Sequence, residues 1–150
     1  MFCEQGRPTK YTETKQNTMA FSNGDIMRTH QVGCMGGIRK SDKTKSIVLI
    51  INPKVHKYSD LYRNQFEIFY DGEFRKGHRD QVMKWGNGIL NETNWPIHVY
   101  FGSRGEYEYF GEYQRHGVYQ TTYDASGRRM FVFPIRKKIT ITYDFDTFET

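Results

Sequence analysis

Apolar residues fall in short runs along this chain, separated by turns rich in Gly, Asn and Asp. The clearest run is Ser46-Ile47-Val48-Leu49-Ile50-Ile51, closed by Asn52-Pro53. A continuous β-branched stretch of this length predicts a buried strand. Aromatic or alternating runs at 65–70, 97–101, 107–113, 117–123, 129–133 and 139–143 predict further strands. Residues 21–32 start with an Asn-Gly turn and read as leading into a short strand, and the glycines at 33–38 predict an irregular loop. One helix is predicted over 80–90, with Val82, Met83, Ile89 and Leu90 as its apolar positions. Gly86 and Gly88 lie inside it and cost about 1 kcal/mol each relative to Ala, so the helix is expected to be short or broken. The segment 1–18 is polar without an apolar period and reads as a flexible N-terminal arm. Residues 54–64 read as a polar connection, and 144–150 as an acidic tail with Asp144, Asp146 and Glu149. The pattern therefore predicts one domain over 19–143, mainly β with one or two short helices (α+β), its strands rolled into a compact β-barrel.

Composition sharpens this picture. Aromatics reach 16%, with 11 Tyr and 11 Phe, residues that favour strands. The balance of 22 basic against 17 acidic residues gives +5, compatible with a polyanionic partner. The basic residues cluster at 39–45, 73–84 and 128–138, and three such clusters could share one face. No apolar run approaches the roughly 18–20 residues of a membrane span, and the N-terminus lacks a signal-peptide core. A soluble, cytoplasmic protein with no membrane partner is expected. Cys3 and Cys34, without C-x-x-C spacing, read as free thiols.

The candidate chemistry is recognition rather than reaction. A metal-dependent nuclease needs carboxylates and a Lys gathered on adjoining positions. Asp71-Gly72-Glu73 offers two acids without that partner and reads better as a turn. His30, His56, His78, His98 and His116 are scattered without ligand spacing, and no nucleophile elbow, P-loop or H-E-x-x-H occurs. No catalytic residue, metal or cofactor is expected. Gly36-Gly37-Ile38-Arg39-Lys40-Ser41 combines glycines, whose N–H groups approach anions closely, with further donors. It suits a nucleic-acid phosphate, or else is a basic surface loop. Tyr70, Phe74 and Trp85 lie on or beside tight turns, next to Asp71 and Asn87. An extruded base needs flat partners on its faces and polar groups at its edge, which these types supply. Core packing is the competing reading for Tyr70 and Trp85.

The order of these motifs resembles a known family. Gly24-Asp25-Ile26-Met27-Arg28-Thr29-His30 is followed by Gly33 to Gly37, Ile38-Arg39-Lys40-Ser41 and the aliphatic run Ile47 to Ile51. Phe69-Tyr70-Asp71-Gly72, Gly77-His78-Arg79-Asp80 and Gly86-Asn87 come next, then Val99-Tyr100-Phe101 and a Tyr107 to Tyr113 run. Together they resemble the YDG or SRA-like (PUA-like) reader domains found at the N-terminus of McrA-like HNH restriction endonucleases. The resemblance covers roughly residues 19–135. It implies a PUA/SRA-like β-barrel that binds double-stranded DNA and recognises 5-methyl- or 5-hydroxymethylcytosine by base flipping. It places Tyr70, Asp71, Trp85 and Asn87 in or near the base pocket. It places Arg28, Arg39, Lys40, Ser41, Arg75, Lys76 and Arg79 at the backbone or at the gap left by the base. An HNH or other nuclease effector is the implied partner, although the HNH module itself has no counterpart here. Two rival readings keep the fold or the residues but change the role. A PUA-like domain can serve RNA, and Asp71, Glu73 or Asp80 could hold a nuclease metal. A third is a protein-interaction barrel whose basic patches are only solvated.

Overall fold

The computed structural model describes residues 20–53 and 65–139. The expected arm, the 54–64 connection, most of the strand expected at 139–143 and the acidic tail lie outside the described residues.

Strand β2 (Ser46–Ile51) is buried at all six positions because both of its faces are covered. Its odd residues Ile47, Leu49 and Ile51 join Ile97, Val99, Tyr113, Phe131, Phe133 and Ile135 in the larger core. Its even residues Val48 and Ile50 meet Ile26, Val32, Tyr100 and Tyr107 in a smaller one. Side chains alternate across a strand, so an unbroken aliphatic run signals two cores rather than one. Each buried Ile, Leu or Val contributes about 1.5–3 kcal/mol.

Among the described residues seven strands form one sheet. β1 (Ile38–Ser41) is followed across it by β2, β4 (Ile97–Ser103), β5 (Glu106–Arg115), β7 (Arg129–Lys137) and β3 (Glu67–Asp71), with β6 (Gln120–Tyr123) beside β7. β2 and β4 are parallel, pairing from Ile47 opposite Ile97 to Ile51 opposite Phe101, and every other pair is antiparallel. The crossover between that parallel pair carries β3 and the helix α2 (Trp85–Glu92). The β4–β5 register shifts between Val99 and Tyr100, and such an irregularity adds local twist. The sheet curls into a half-barrel, in keeping with the expected mainly β class and two short helices.

Three expectations are corrected. Residues 21–32 do not run into a strand but hold helix α1 (Asn23–His30). Ser22 and Asp25 form a capping box: the Asp25 N–H donates to Ser22 Oγ at 3.1 Å, and the Ser22 N–H to Asp25 Oδ2 at 2.9 Å. This satisfies donors that an Asn-Gly turn would leave open, and Ile26 then packs on β2. Secondly, α2 starts at Trp85 rather than 80 and runs through both glycines. A Cβ on Gly86 would lie 2.9 Å from Ile38 Cβ, so this glycine lets the helix approach β1. Thirdly, Cys34 is disulfide-bonded rather than a free thiol. Among the described residues no helix is long and apolar enough to cross a membrane.

Candidate nucleic-acid interface

The loop that leaves β3 at Asp71 and enters α2 at Trp85 is held at three points, two by buried side chains and one by the half-buried Glu73. Gln81 is fully buried. Its Nε2 donates to the Gly72 carbonyl at 2.7 Å, its Oε1 accepts the Phe131 N–H at 2.7 Å, and its own N–H donates to the Arg129 carbonyl at 2.9 Å. Asn87, 3% exposed, accepts the Glu73 N–H at 2.8 Å and donates to the Glu73 and Val82 carbonyls, each at 3.0 Å. Glu73 Oε1 accepts the Ile38 N–H at 2.6 Å, tying the loop to β1. Leaving one such buried group unpaired costs about 1–3 kcal/mol, so the loop is stiff. Gly72 is where the clamps converge: a Cβ there would lie 2.5 Å from Gln81 Oε1 and 2.8 Å from Asn87 Oδ1.

The four expected pocket residues take different places around this loop. Tyr70 is 1% exposed and packs in the larger core, its hydroxyl donating to the Ile50 carbonyl at 3.2 Å. Asn87 spends its amide on the clamp just described. Both therefore shape the loop from beneath. Asp71 is half-buried at the end of β3, and desolvation pushes its carboxyl up to about 6. Trp85 is 48% exposed. Its φ of +52° is a backbone region that a bulky residue rarely adopts, and such strain is found at functional sites. The Arg75 guanidinium lies 4.0 Å from the Trp85 ring centroid, and the His78 ring meets it edge-on at 6.0 Å. Beside Trp85 runs a groove of about 440 Å³, lined by Ile38, Met83 and Ile89 together with Lys40, Lys84 and Glu92.

The basic residues divide likewise. Arg75, Lys76 and Arg79 are exposed on the loop. Lys40 is exposed on β1 beside Asp42 at 3.1 Å, and Arg28 on α1 beside Asp25 at 2.8 Å. Arg39 and Ser41, expected at phosphates, are instead 6% and 3% exposed. Arg39 donates to the Gly36 carbonyl and to Asn23 Oδ1, each at 3.0 Å, and Ser41 Oγ accepts the Thr44 N–H at 3.1 Å. On β1 alternate residues face opposite ways, which leaves Lys40 outside and turns its neighbours in. Of the segment 36–41 read as a phosphate loop, residues 38–41 are thus a short strand anchored by Arg39.

The carboxylates expected of a nuclease are dispersed in their duties. Glu73 holds β1, its carboxyl pushed up by desolvation against the pull of backbone donors. Asp80 accepts the Arg129 N–H at 2.9 Å and Arg79 Nη1 at 3.0 Å, and that backbone bond holds its carboxyl low. Among the described residues no three metal-ligating side chains gather. Sequence reasoning missed Gln81 as a clamp and Arg128 as a neighbour of the loop. Arg128 belonged to a visible basic cluster, whereas Gln81 gives no signal until β7 is known to lie beside it.

No protein-family model matches the chain, nor does any curated protein sequence. Solved structures do. The SUVH5 SRA domain in complex with methylated CHH DNA is 20% identical, with a TM-score of 0.60 over 93% of this chain and 92% of that one. The same domain bound to fully hydroxymethylated CG DNA is 19% identical, with a TM-score of 0.61 over 95% and 93%. Arabidopsis thaliana SUVH6 in complex with SAM is 22% identical, with a TM-score of 0.58 over 84% of this chain and 26% of that one. At such identities the likeness is one of fold. The chain therefore has the fold of an SRA domain.

Proposed function

We propose that this chain is a reader of modified cytosine in duplex DNA that captures the base after flipping it from the stack. The observation that carries this reading is the fold, shared almost end to end with SRA domains solved on methylated and hydroxymethylated DNA. The site supplies matching chemistry. Trp85 offers an aromatic face at the surface, on which a base can stack. Asp71, once ionised, accepts hydrogen bonds, and the exocyclic amine of cytosine is a donor. Tyr70, Gln81 and Asn87 hold both in place by fixing the loop between them. Arg75, Lys76, Arg79 and Lys40 supply the cationic surroundings that phosphates require. Arg75 has a double duty: it covers the Trp85 face in the free protein and is released towards the backbone when a base replaces it. A reader of this kind acts through an effector, an HNH or other nuclease, brought to marked DNA.

The test is binding to one short duplex carrying cytosine, 5-methylcytosine or 5-hydroxymethylcytosine, followed by fluorescence anisotropy at two salt concentrations. Tighter binding to a modified duplex, with the preference reduced in Trp85→Ala, is the expected result. Equal binding to all three duplexes would overturn the reader assignment.

A further inference from the structure

The 128–138 basic cluster has been given no role towards a ligand so far, yet part of it lies against the loop. Asp71 pairs with Val132, and the Gly72 N–H donates to the Phe131 carbonyl at 2.7 Å. The opposite edge of β7 pairs with β6 from Gln120 opposite Val132 to Tyr123 opposite Arg129. The β6–β7 turn, residues 124–128, is therefore at the same end of the sheet as Asp71, about 10 Å further along β7 at roughly 3.3 Å per residue. Arg79 reaches across to the Ser126 and Gly127 carbonyls at 3.4 and 3.5 Å. Arg129 joins from the other side, its N–H on Asp80 at 2.9 Å and its Nη2 on the Gln81 carbonyl at 3.2 Å. The Arg128 guanidinium lies 4.0 Å from the Phe74 ring centroid.

The turn is also rigid in itself. Asp124 Oδ1 accepts the Ser126 and Arg128 N–H groups, each at 2.9 Å, and its Oδ2 accepts Arg128 Nε at 2.7 Å. Gly127 supplies the left-handed residue, φ +79°, that closes it. Arg128 is thus an oriented guanidinium: its Nε is held by Asp124, its plane lies over Phe74, and its side chain is 42% exposed. A guanidinium offers five donors in a planar fork that suits phosphate.

From this placement we infer that the β6–β7 turn is a second DNA-backbone contact surface, with Arg128 as its phosphate-binding residue. The inference rests on the reader assignment above and extends it from the loop to a neighbouring turn. Loop and turn together form one cationic face, along which the backbone of the duplex runs beside the extruded base.

The experiment compares wild type, Arg128→Gln and Arg128→Lys on unmodified and 5-methylcytosine duplexes across a salt series, with a thermal melt of each variant. Losing one phosphate contact lowers the slope of log K against log salt by about 1. Arg128→Gln is expected to show that loss and to weaken both duplexes by the same factor, leaving their ratio intact. Arg128→Lys, which keeps the charge, is expected to retain the wild-type slope. A wild-type slope and affinity in folded Arg128→Gln would overturn the inference. Salt-sensitive binding without preference in wild type would sink the reader assignment, while the Arg128 slope would still decide the second contact. No binding by wild type at any salt would overturn both.

Discussion

Asp71 shows how one half-buried carboxyl can weaken the fold. Desolvation lifts its carboxyl from the usual range to about 6. The folded protein therefore binds a proton there that the unfolded chain releases nearer pH 4. Stability then falls as pH rises from about 4 to about 6 and stays level above. Asp71→Asn removes the charge and is expected to raise the melting temperature at pH 7.5, a gain that vanishes near pH 4. Differential scanning calorimetry at the two pH values measures it, and an equal shift at both would remove desolvation as the cause. Tyr70 and Trp85 make a complementary point. Both are aromatics beside turns in the sequence, yet one is 1% exposed and the other 48%. Strand alternation accounts for Tyr70, whose pattern in β3 is exposed, buried, exposed, buried. Nothing local accounts for Trp85, whose exposure depends on where α2 meets β1.

Elements were legible wherever periodicity was strong. β2 follows from its unbroken aliphatic run, buried on both faces, and β4 and β5 follow from their apolar and aromatic runs. α1 was not legible as a helix, since eight residues with one fully buried aliphatic side chain give little period. Its sign was the capping box, Ser22 and Asp25, partly hidden by the Asn-Gly between them. α2 was displaced because its glycines read as breakers, whereas Gly86 is a contact point. Gly86→Ala is accordingly expected to destabilise the protein even though Ala gains about 1 kcal/mol in helix propensity over Gly. The added methyl meets Ile38 Cβ at 2.9 Å, and overpacking typically costs about 1–3 kcal/mol. Gly88→Ala, with its nearest neighbour the Met83 carbonyl at 3.4 Å, serves as the comparison in urea unfolding. A Gly86→Ala variant more stable than wild type would show that α2 can shift away from β1 at little cost.

Across the whole molecule, two cores share β2, and the smaller is bordered by a polar cluster where α1 meets the sheet. His30 lies 2.7 Å from the Tyr100 hydroxyl and 4.3 Å, ring to ring, from His98, which in turn contacts the Tyr109 hydroxyl at 2.9 Å. Burial first and His98 second bring His30 down to about 4, and burial lowers His98 also, opposed by Glu112. Here the sign is opposite to that of Asp71. The unfolded chain takes up the proton near pH 6.5 and the folded one only near 4, so stability falls as pH drops through this window. His30→Gln is expected to flatten that acid limb, read as urea midpoint against pH from 7 to 4. An unchanged limb would show that other groups control acid unfolding.

The amino-acid sequence by itself determined the mainly β class, most of the strand positions and the basic clusters. Each of these is local: alternation, turn chemistry and net charge act over a few residues. Only the tertiary structure decided which of the candidate side chains are exposed and which are buried. Arg39 and Ser41 turn inward because β1 pairs with β2, and Asn87 becomes a clamp because α2 brings it to Glu73. Arg128 comes to lie over Phe74 because β7 passes beside β3. The β1–β2 partners lie within about ten residues along the chain, whereas Asn87 and Arg128 meet Glu73 and Phe74 from 14 and 54 residues away, and no local pattern carries those contacts.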